Sequence, residues 1–277
     1  MRDKTAMTDS LRPGLFAGRT ALVTGGGSGI GRVIARRFAA LGSQVVLAGR
    51  HQETLAAAQG EIEAAGGTAL AQPTDIRQVD QVDALVKAAL ARFGRIDFVV
   101  NNAGGQFPAR PSEISDRGWR AVVDLNLNGT WNVLSRVGPH LLAQRSGAVV
   151  NVVHVYVFGR GAPTFAHSGA ARAGVVNLTR SLAAYWARHD VTINALAPGS
   201  IDTTALREKE YAALMADYEA QQKKDIPAHR LGTPEEMAEI CAFLCSPAAR
   251  YINGAVIVAD GAQYLGAWSD PWDMEKP

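Results

Sequence analysis

Thr24-Gly25-Gly26-Gly27-Ser28-Gly29-Ile30-Gly31 is the stretch that decides the fold of this chain. A short apolar run, Thr20 to Val23, precedes it, and an amphipathic segment carrying Ile30, Val33, Ile34, Phe38 and Leu41 follows. Strand, glycine turn and helix in that order form a pyrophosphate-binding turn. Unpaired amides and the dipole at a helix N-terminus attract negative charge. Side chains would block the approach, so Gly25, Gly29 and Gly31 leave the backbone bare, with Ser28 and Ile30 completing the turn. Alone, the pattern also fits an ordinary glycine-rich loop. The flanking strand and helix argue against that.

The alternation continues outward. Apolar runs at Gln44–Ala48, Thr68–Ala71, Ile96–Val100, Ala148–Val153, Val191–Leu196 and Ala255–Val258 read as strands. Helical patterns lie between them at about 52–65, 78–93, 116–144, 166–188, 205–222 and 234–244, the long 116–144 stretch broken or bent near Gly129 and Gly138-Pro139. Short Val/Ile/Ala/Leu strands alternating with helices predict an α/β fold: one doubly wound parallel sheet (Rossmann) of about seven strands, with helices on both faces. Functional loops then lie beyond the strand C-termini, where Gly25, Arg50, Asp75, Asn102 and Pro198 fall. The expected organisation is an N-terminal arm over 1–18 and a dinucleotide-binding domain over 19–262. A substrate lid is expected at about 200–230 and a C-terminal tail over 263–277.

The chain has 277 residues, 47% hydrophobic and 19% charged, with net charge +2. That suits one large domain and gives no reason to expect nucleic acid or a membrane surface as partner. No apolar run approaches the roughly 20 residues of a bilayer span. Met1 to Arg12 lacks the apolar core of a secretory signal, and Met274 to Pro277 is not a Ser-Lys-Leu address. Cys241 and Cys245 read as buried free thiols without a metal-ligand pattern, so no metal is expected and a cytoplasmic location fits.

Several motifs in order resemble the short-chain dehydrogenase/reductase family over nearly the whole length. Thr24-Gly25…Gly29-Ile30-Gly31 matches its glycine turn, Asp75 with Ile76 its adenine site, and Asn101-Asn102-Ala103-Gly104 its strand-four turn. Pro198-Gly199 matches its Pro-Gly turn, with Ile201 and Thr203 where the family holds the nicotinamide amide. Asn101 to Phe107 and His167 to Val175 look like the peroxisomal trans-2-enoyl-CoA reductase branch, while Ala242 to Ser246 and Ile252 to Ile257 look like the 2,4-dienoyl-CoA reductase branch. The resemblance implies NADPH, an acyl-thioester substrate and a homotetramer.

NAD-selective sheets of this type carry an acidic residue about 20 residues after the glycines. Here the strand end is Gly49-Arg50, with no carboxylate to repel a 2′-phosphate and a guanidinium able to hold one bidentately. NADPH/NADP is the expected cofactor; the alternative is that Arg50 is only a solvated charge.

A standard family member carries a serine after strand five and a Tyr-x-x-x-Lys pair on the next helix. Ser168 stands where the tyrosine belongs, Arg172 where the lysine belongs, and the serine position falls at His154 or Val155. Carbonyl reduction needs a phenol to protonate an alkoxide, whereas reducing a conjugated thioester needs donors aimed at an enolate oxygen. The departure therefore points to carbon–carbon double-bond reduction. Tyr156, Asn128, Asn126 and Ser168 are the donor candidates, with His154 ranked below Tyr156, and Arg172 is expected on the nicotinamide ribose. Each has a plainer reading: Tyr156 packs under a loop, Asn126 holds a water or bonds backbone across a helix bend, Asn128 caps it, Ser168 makes room, and His154 is a satisfied core or loop histidine. Lys223, Lys224, His229 and Arg230 are expected to meet coenzyme A phosphates or to form a solvated face. Trp268 and Trp272 are expected to pack on a neighbouring subunit, on the cleft mouth or within a local tail fold. The rival functions are a carbonyl or alcohol oxidoreductase using Tyr156, and a catalytically inactive NADPH-binding scaffold or sensor.

Overall fold

The computed structural model describes residues 11–158, 161–203 and 224–266. Strands β1 (Thr20–Thr24), β2 (Gln44–Gly49), β3 (Thr68–Pro73), β4 (Phe98–Asn101), β5 (Gly147–Val152), β6 (Val191–Pro198) and β7 (Val256–Ala259) form one sheet of order β3-β2-β1-β4-β5-β6-β7. Every pairing is parallel. Helices α1 (Gly29–Ala40), α2 (Gln52–Ala64), α3 (Val79–Phe93), α4 (Asp116–Val123), α5 (Gly129–Gln144), α6 (Ala166–Trp186) and α7 (Pro234–Cys245) connect and cover it.

The central strands are apolar throughout because both faces are covered. Alternate side chains sort to opposite cores, as the period-2 pleat requires. Ala21, Val23, Val45 and Leu47 join α1, α2 and α7 in one cluster. Leu22, Val46, Ala48 and Val99 join α3, α5 and α6 in the other. Phe16 packs under the first cluster, its ring 4.5 Å from that of Phe98.

The expected sheet is present, and two local expectations need correction. Strand β4 begins at Phe98 rather than Ile96; Asp97, just before it, turns its carboxylate to the Arg19 and Arg95 guanidiniums at 2.7 and 2.6 Å and to the amide of Thr20. The long helix is not broken at Gly138-Pro139, which α5 runs through, with Gly138 set against the Trp186 ring. Its irregularity is a π-helical stretch, Asp124–Asn128, ahead of Gly129. Such bulges occur often at functional sites. The helix expected over 205–222, Lys223, Trp268 and Trp272 lie outside the described residues.

The strand order reverses between β1 and β4, so a crevice opens beyond their C-termini. The residues singled out from sequence gather around that edge.

Candidate active site

The glycine turn sits at the reversal point. Ser28 starts α1 in an extended conformation with an exposed side chain that caps nothing, and Ile30 packs back on the core. A Cβ on Gly31 would overlap the carbonyl of Gly25 and stand 2.5 Å from Asn102 Nδ2. The turn therefore closes so tightly that only a bare backbone fits. Thr24 ties it to β4: its hydroxyl accepts from the amides of Asn102 and Ala103 at 3.1 and 3.0 Å, and the Asn102 side chain donates back to the Thr24 carbonyl. This cradle at a helix N-terminus fits a dinucleotide pyrophosphate.

Arg50 is exposed at the end of β2. Asp75 and Ile76 follow β3, but the Asp75 carboxylate is gripped by Arg77, whose Nε lies 2.9 Å from Oδ1. The Arg77 bond is the main cause of the lowered Asp75 pKa, and Arg50 adds a smaller Coulomb effect. At the far side, Gly199 bonds the β7 end and Ile201 is buried. The amide of Ser200 donates to Gln263 Oε1 at 2.8 Å, so residue 263 packs against the turn after β6. Thr203 is half-buried at the edge of the described residues.

The centre of the site lies between β5 and α6. His154 follows β5, and its Nε2 is 3.2 Å from the hydroxyl of Ser168 in the first turn of α6. One turn on, Arg172 donates through Nη1 to the Val152 carbonyl and presses Nη2 on Gly104, where a Cβ would collide with it. Among the described residues no carboxylate bonds this guanidinium. Its Nε is shielded and unpaired, and burial lowers its pKa to about 10. The His154 pKa falls to about 4, first from burial and then from the Arg172 charge, so the ring is neutral at physiological pH. Its Nδ1 is shielded and lacks a hydrogen bond. An unpaired polar group of this kind costs about 1–3 kcal/mol.

The other candidates separate. Asn126 is fully buried; its amide donates to Gly105 O and Val122 O at 2.7 and 2.8 Å, and its carbonyl accepts from Gly105 N. It pins the loop after β4 across the π turn, with both amide hydrogens used. Asn128 is exposed and donates to Asp124 Oδ1 at 2.8 Å, and Asp124 in turn lies within Coulomb reach of Arg77. Tyr156 lies near, its ring centroid 5.4 Å from that of His154 and stacked on Phe165. Among the described residues its hydroxyl bonds nothing. Arg230 is taken by Glu236, at 2.6 Å, and His229 and Lys224 are exposed. Among the described residues there is no cluster of three metal-binding side chains, and no helix is long and apolar enough to cross a membrane.

Sequence reasoning missed the bond between His154 and Ser168, because nothing marks a fourteen-residue separation as a contact. It also missed the buried chain from Asn101 through Asn151 to Thr179, which joins β4, β5 and α6 with bonds of 2.8 and 2.9 Å.

An all-parallel doubly wound sheet with a glycine turn at its reversal point defines a dinucleotide-binding protein of the Rossmann class. Residues 25–262 match the family described as Enoyl-(Acyl carrier protein) reductase, and the chain belongs to the short-chain dehydrogenase/reductase family of oxidoreductases. It is 37% identical to a probable 2,4-dienoyl-CoA reductase of Bacillus subtilis, over 90% of this chain and 98% of that protein. It is 35% identical to a 3-oxoacyl-[acyl-carrier-protein] reductase of Staphylococcus epidermidis, over 89% and 99%. A citronellol catabolism dehydrogenase of Pseudomonas aeruginosa superposes with TM-score 0.80 at 39% identity, over 92% and 98%. Members of the family use nicotinamide cofactors.

Proposed function

We propose that this chain is an NADPH-dependent reductase of the carbon–carbon double bond in an enoyl- or dienoyl-CoA-like thioester. The observation that carries the reading is the pair on α6. Where carbonyl reduction needs a phenol and a lysine, the helix presents the hydroxyl of Ser168 and the guanidinium of Arg172. A serine hydroxyl is a far weaker acid than a phenol, and Arg172 does not give up its proton at neutral pH, so the pair lacks the acid that carbonyl reduction uses. Stabilising an enolate demands less: oriented donors and a nearby positive charge.

The glycine turn would hold the pyrophosphate, Arg50 the 2′-phosphate, and Asp75 with Ile76 the adenine. Asn102, Ala103 and Gly104 would line the nicotinamide ribose with Arg172, and Pro198, Gly199, Ile201 and Thr203 would meet the carboxamide. When bound, the reduced nicotinamide supplies the hydride. Arg172, buried without a carboxylate partner, then places a fixed positive charge beside the developing enolate. Ser168 and Tyr156 would serve the substrate, and the lid would come from residues 200–230, of which 204–223 lie outside the described residues. Exposed Trp119 on α4 and Trp131 on α5, with the half-exposed β7 edge, support a homotetramer. A cytoplasmic location completes the reading.

NADPH oxidation with crotonyl-CoA or hexa-2,4-dienoyl-CoA, and little with a 3-oxoacyl thioester, is the expected result. The reverse preference would favour a carbonyl reductase using Tyr156, for which the likeness to the 3-oxoacyl reductase speaks. Tight NADPH binding with no turnover of any of them would favour a scaffold.

A further inference from the structure

We propose that Gln263 is a positioning residue for hydride transfer: acting through Ser200, it fixes the loop on which the nicotinamide carboxamide rests. This deepens the reading above and rests on its assignment of Pro198 to Thr203 to the carboxamide. The geometry carries the rest. Gln263 directs both ends of its side-chain amide at one residue. Its Oε1 accepts from the Ser200 amide at 2.8 Å, and its Nε2 donates to the Ser200 hydroxyl at 3.0 Å. A backbone N–H can only donate, so Oε1 must face Ser200 N and the orientation of the side chain is fixed.

The turn that carries Gln263 is shaped for this contact. Ala262 has φ 71°, a left-handed conformation that a residue with a side chain rarely adopts. The Asp260 carboxylate holds it there, accepting from the amides of Ala262 at 2.9 Å and Tyr264 at 2.7 Å. Such outliers persist only where their surroundings over-determine them, and they cluster at functional sites. A Cβ on Gly199 would stand 2.6 Å from both Gln263 Oε1 and Asp260 Cβ. The bare Gly199 backbone is therefore what admits the turn to the end of β6.

The same turn ties in two neighbouring segments. The Gly261 carbonyl accepts from the amide of Ala228 at 3.1 Å, and the Tyr264 ring lies 5.8 Å from that of Phe158, which follows β5. The Ser200 carbonyl accepts from the amide of Gly232 at 3.0 Å, so Ser200 is held from two sides. Removing the Gln263 side chain loosens one of them. The glycine turn and Arg50, on β1 and β2 beyond β4 and β5, are untouched. A misplacement of about 1 Å is enough to spoil the alignment of hydride donor and acceptor.

The test uses the full-length protein and two probes: NADPH, and 2′-phospho-ADP-ribose, which lacks the nicotinamide. In calorimetric titrations, Gln263→Ala is expected to weaken NADPH about tenfold and to leave 2′-phospho-ADP-ribose within about twofold. With crotonyl-CoA, kcat is expected to fall about tenfold while KM for the thioester stays within about twofold. Gln263→Glu, whose carboxylate can accept from both the amide and the hydroxyl of Ser200, is expected to recover most of both losses. Equal weakening of the two probes would show a merely structural role and overturns the proposal. Unchanged NADPH binding does so too, as does a rise in KM with kcat kept. Failure of the functional reading looks different: the wild-type protein itself would leave both unsaturated thioesters unreduced, while the contrast between the two probes stays measurable.

Discussion

A Cβ on Gly104 would overlap the Arg172 guanidinium, so the bare backbone of the loop after β4 is what seats the cation on α6. The same Cβ would stand 2.7 Å from Asn126 Oδ1. Gly104→Ala must therefore displace both the cation and the amide that pins the loop. Overpacking of this kind costs typically about 1–3 kcal/mol. We expect a lower melting temperature together with weaker NADPH binding, read by thermal shift and fluorescence titration. Unchanged binding would show that the Arg172 position does not matter to the cofactor.

Arg50 is the cationic side chain at the end of β2 and lies within Coulomb reach of Asp75. Arg50→Asp exchanges attraction for repulsion at a 2′-phosphate. The ratio of kcat/KM for NADPH over NADH should fall by about tenfold or more, the equivalent of roughly 1.4 kcal/mol. An unaltered ratio would remove Arg50 from the cofactor site.

Acid should loosen the fold through His154. Its pKa is lowered from 6.5 to about 4 in the folded protein, so between those values the unfolded chain binds the extra proton. Stability from this group is full above pH 6.5, falls as pH drops toward 4, and amounts to at most about 3 kcal/mol. Urea midpoints measured across that range should decline, and His154→Gln should flatten the decline. A slope unaffected by the substitution would place the titration elsewhere.

Asp97 is a stability residue on the opposite edge of the sheet from the crevice. Its side chain is 1% exposed and holds Arg19, Arg95 and the Thr20 amide, so its pKa is lowered despite burial. Both arginines are about two-fifths exposed, and water can take them over. Asp97→Asn should cost about 1.5–3 kcal/mol, the worth of hydrogen bonds to a charged group, with kcat per folded molecule preserved. Loss of kcat without loss of stability would contradict the assignment.

What the sequence determined by itself was the alternation. Each strand is a short apolar run and each helix an amphipathic one, so strand count, parallel pairing and the crevice at the reversal point follow from local periodicity and chirality. The glycine turn was legible for the same reason: three glycines between a strand and a helix is a local pattern with a local cause. The tertiary structure decided the chemistry at β5 and α6. Asn126 and Asn128 are two residues apart in sequence, yet one is fully buried on backbone and the other faces water beside Asp124. In sequence alone His154 reads as a satisfied core or loop histidine and ranks below Tyr156. Only the packing of β5 on α6 brings it to Ser168 and into the field of Arg172, since hydrogen bonds and burial act between neighbours in space rather than neighbours in the chain.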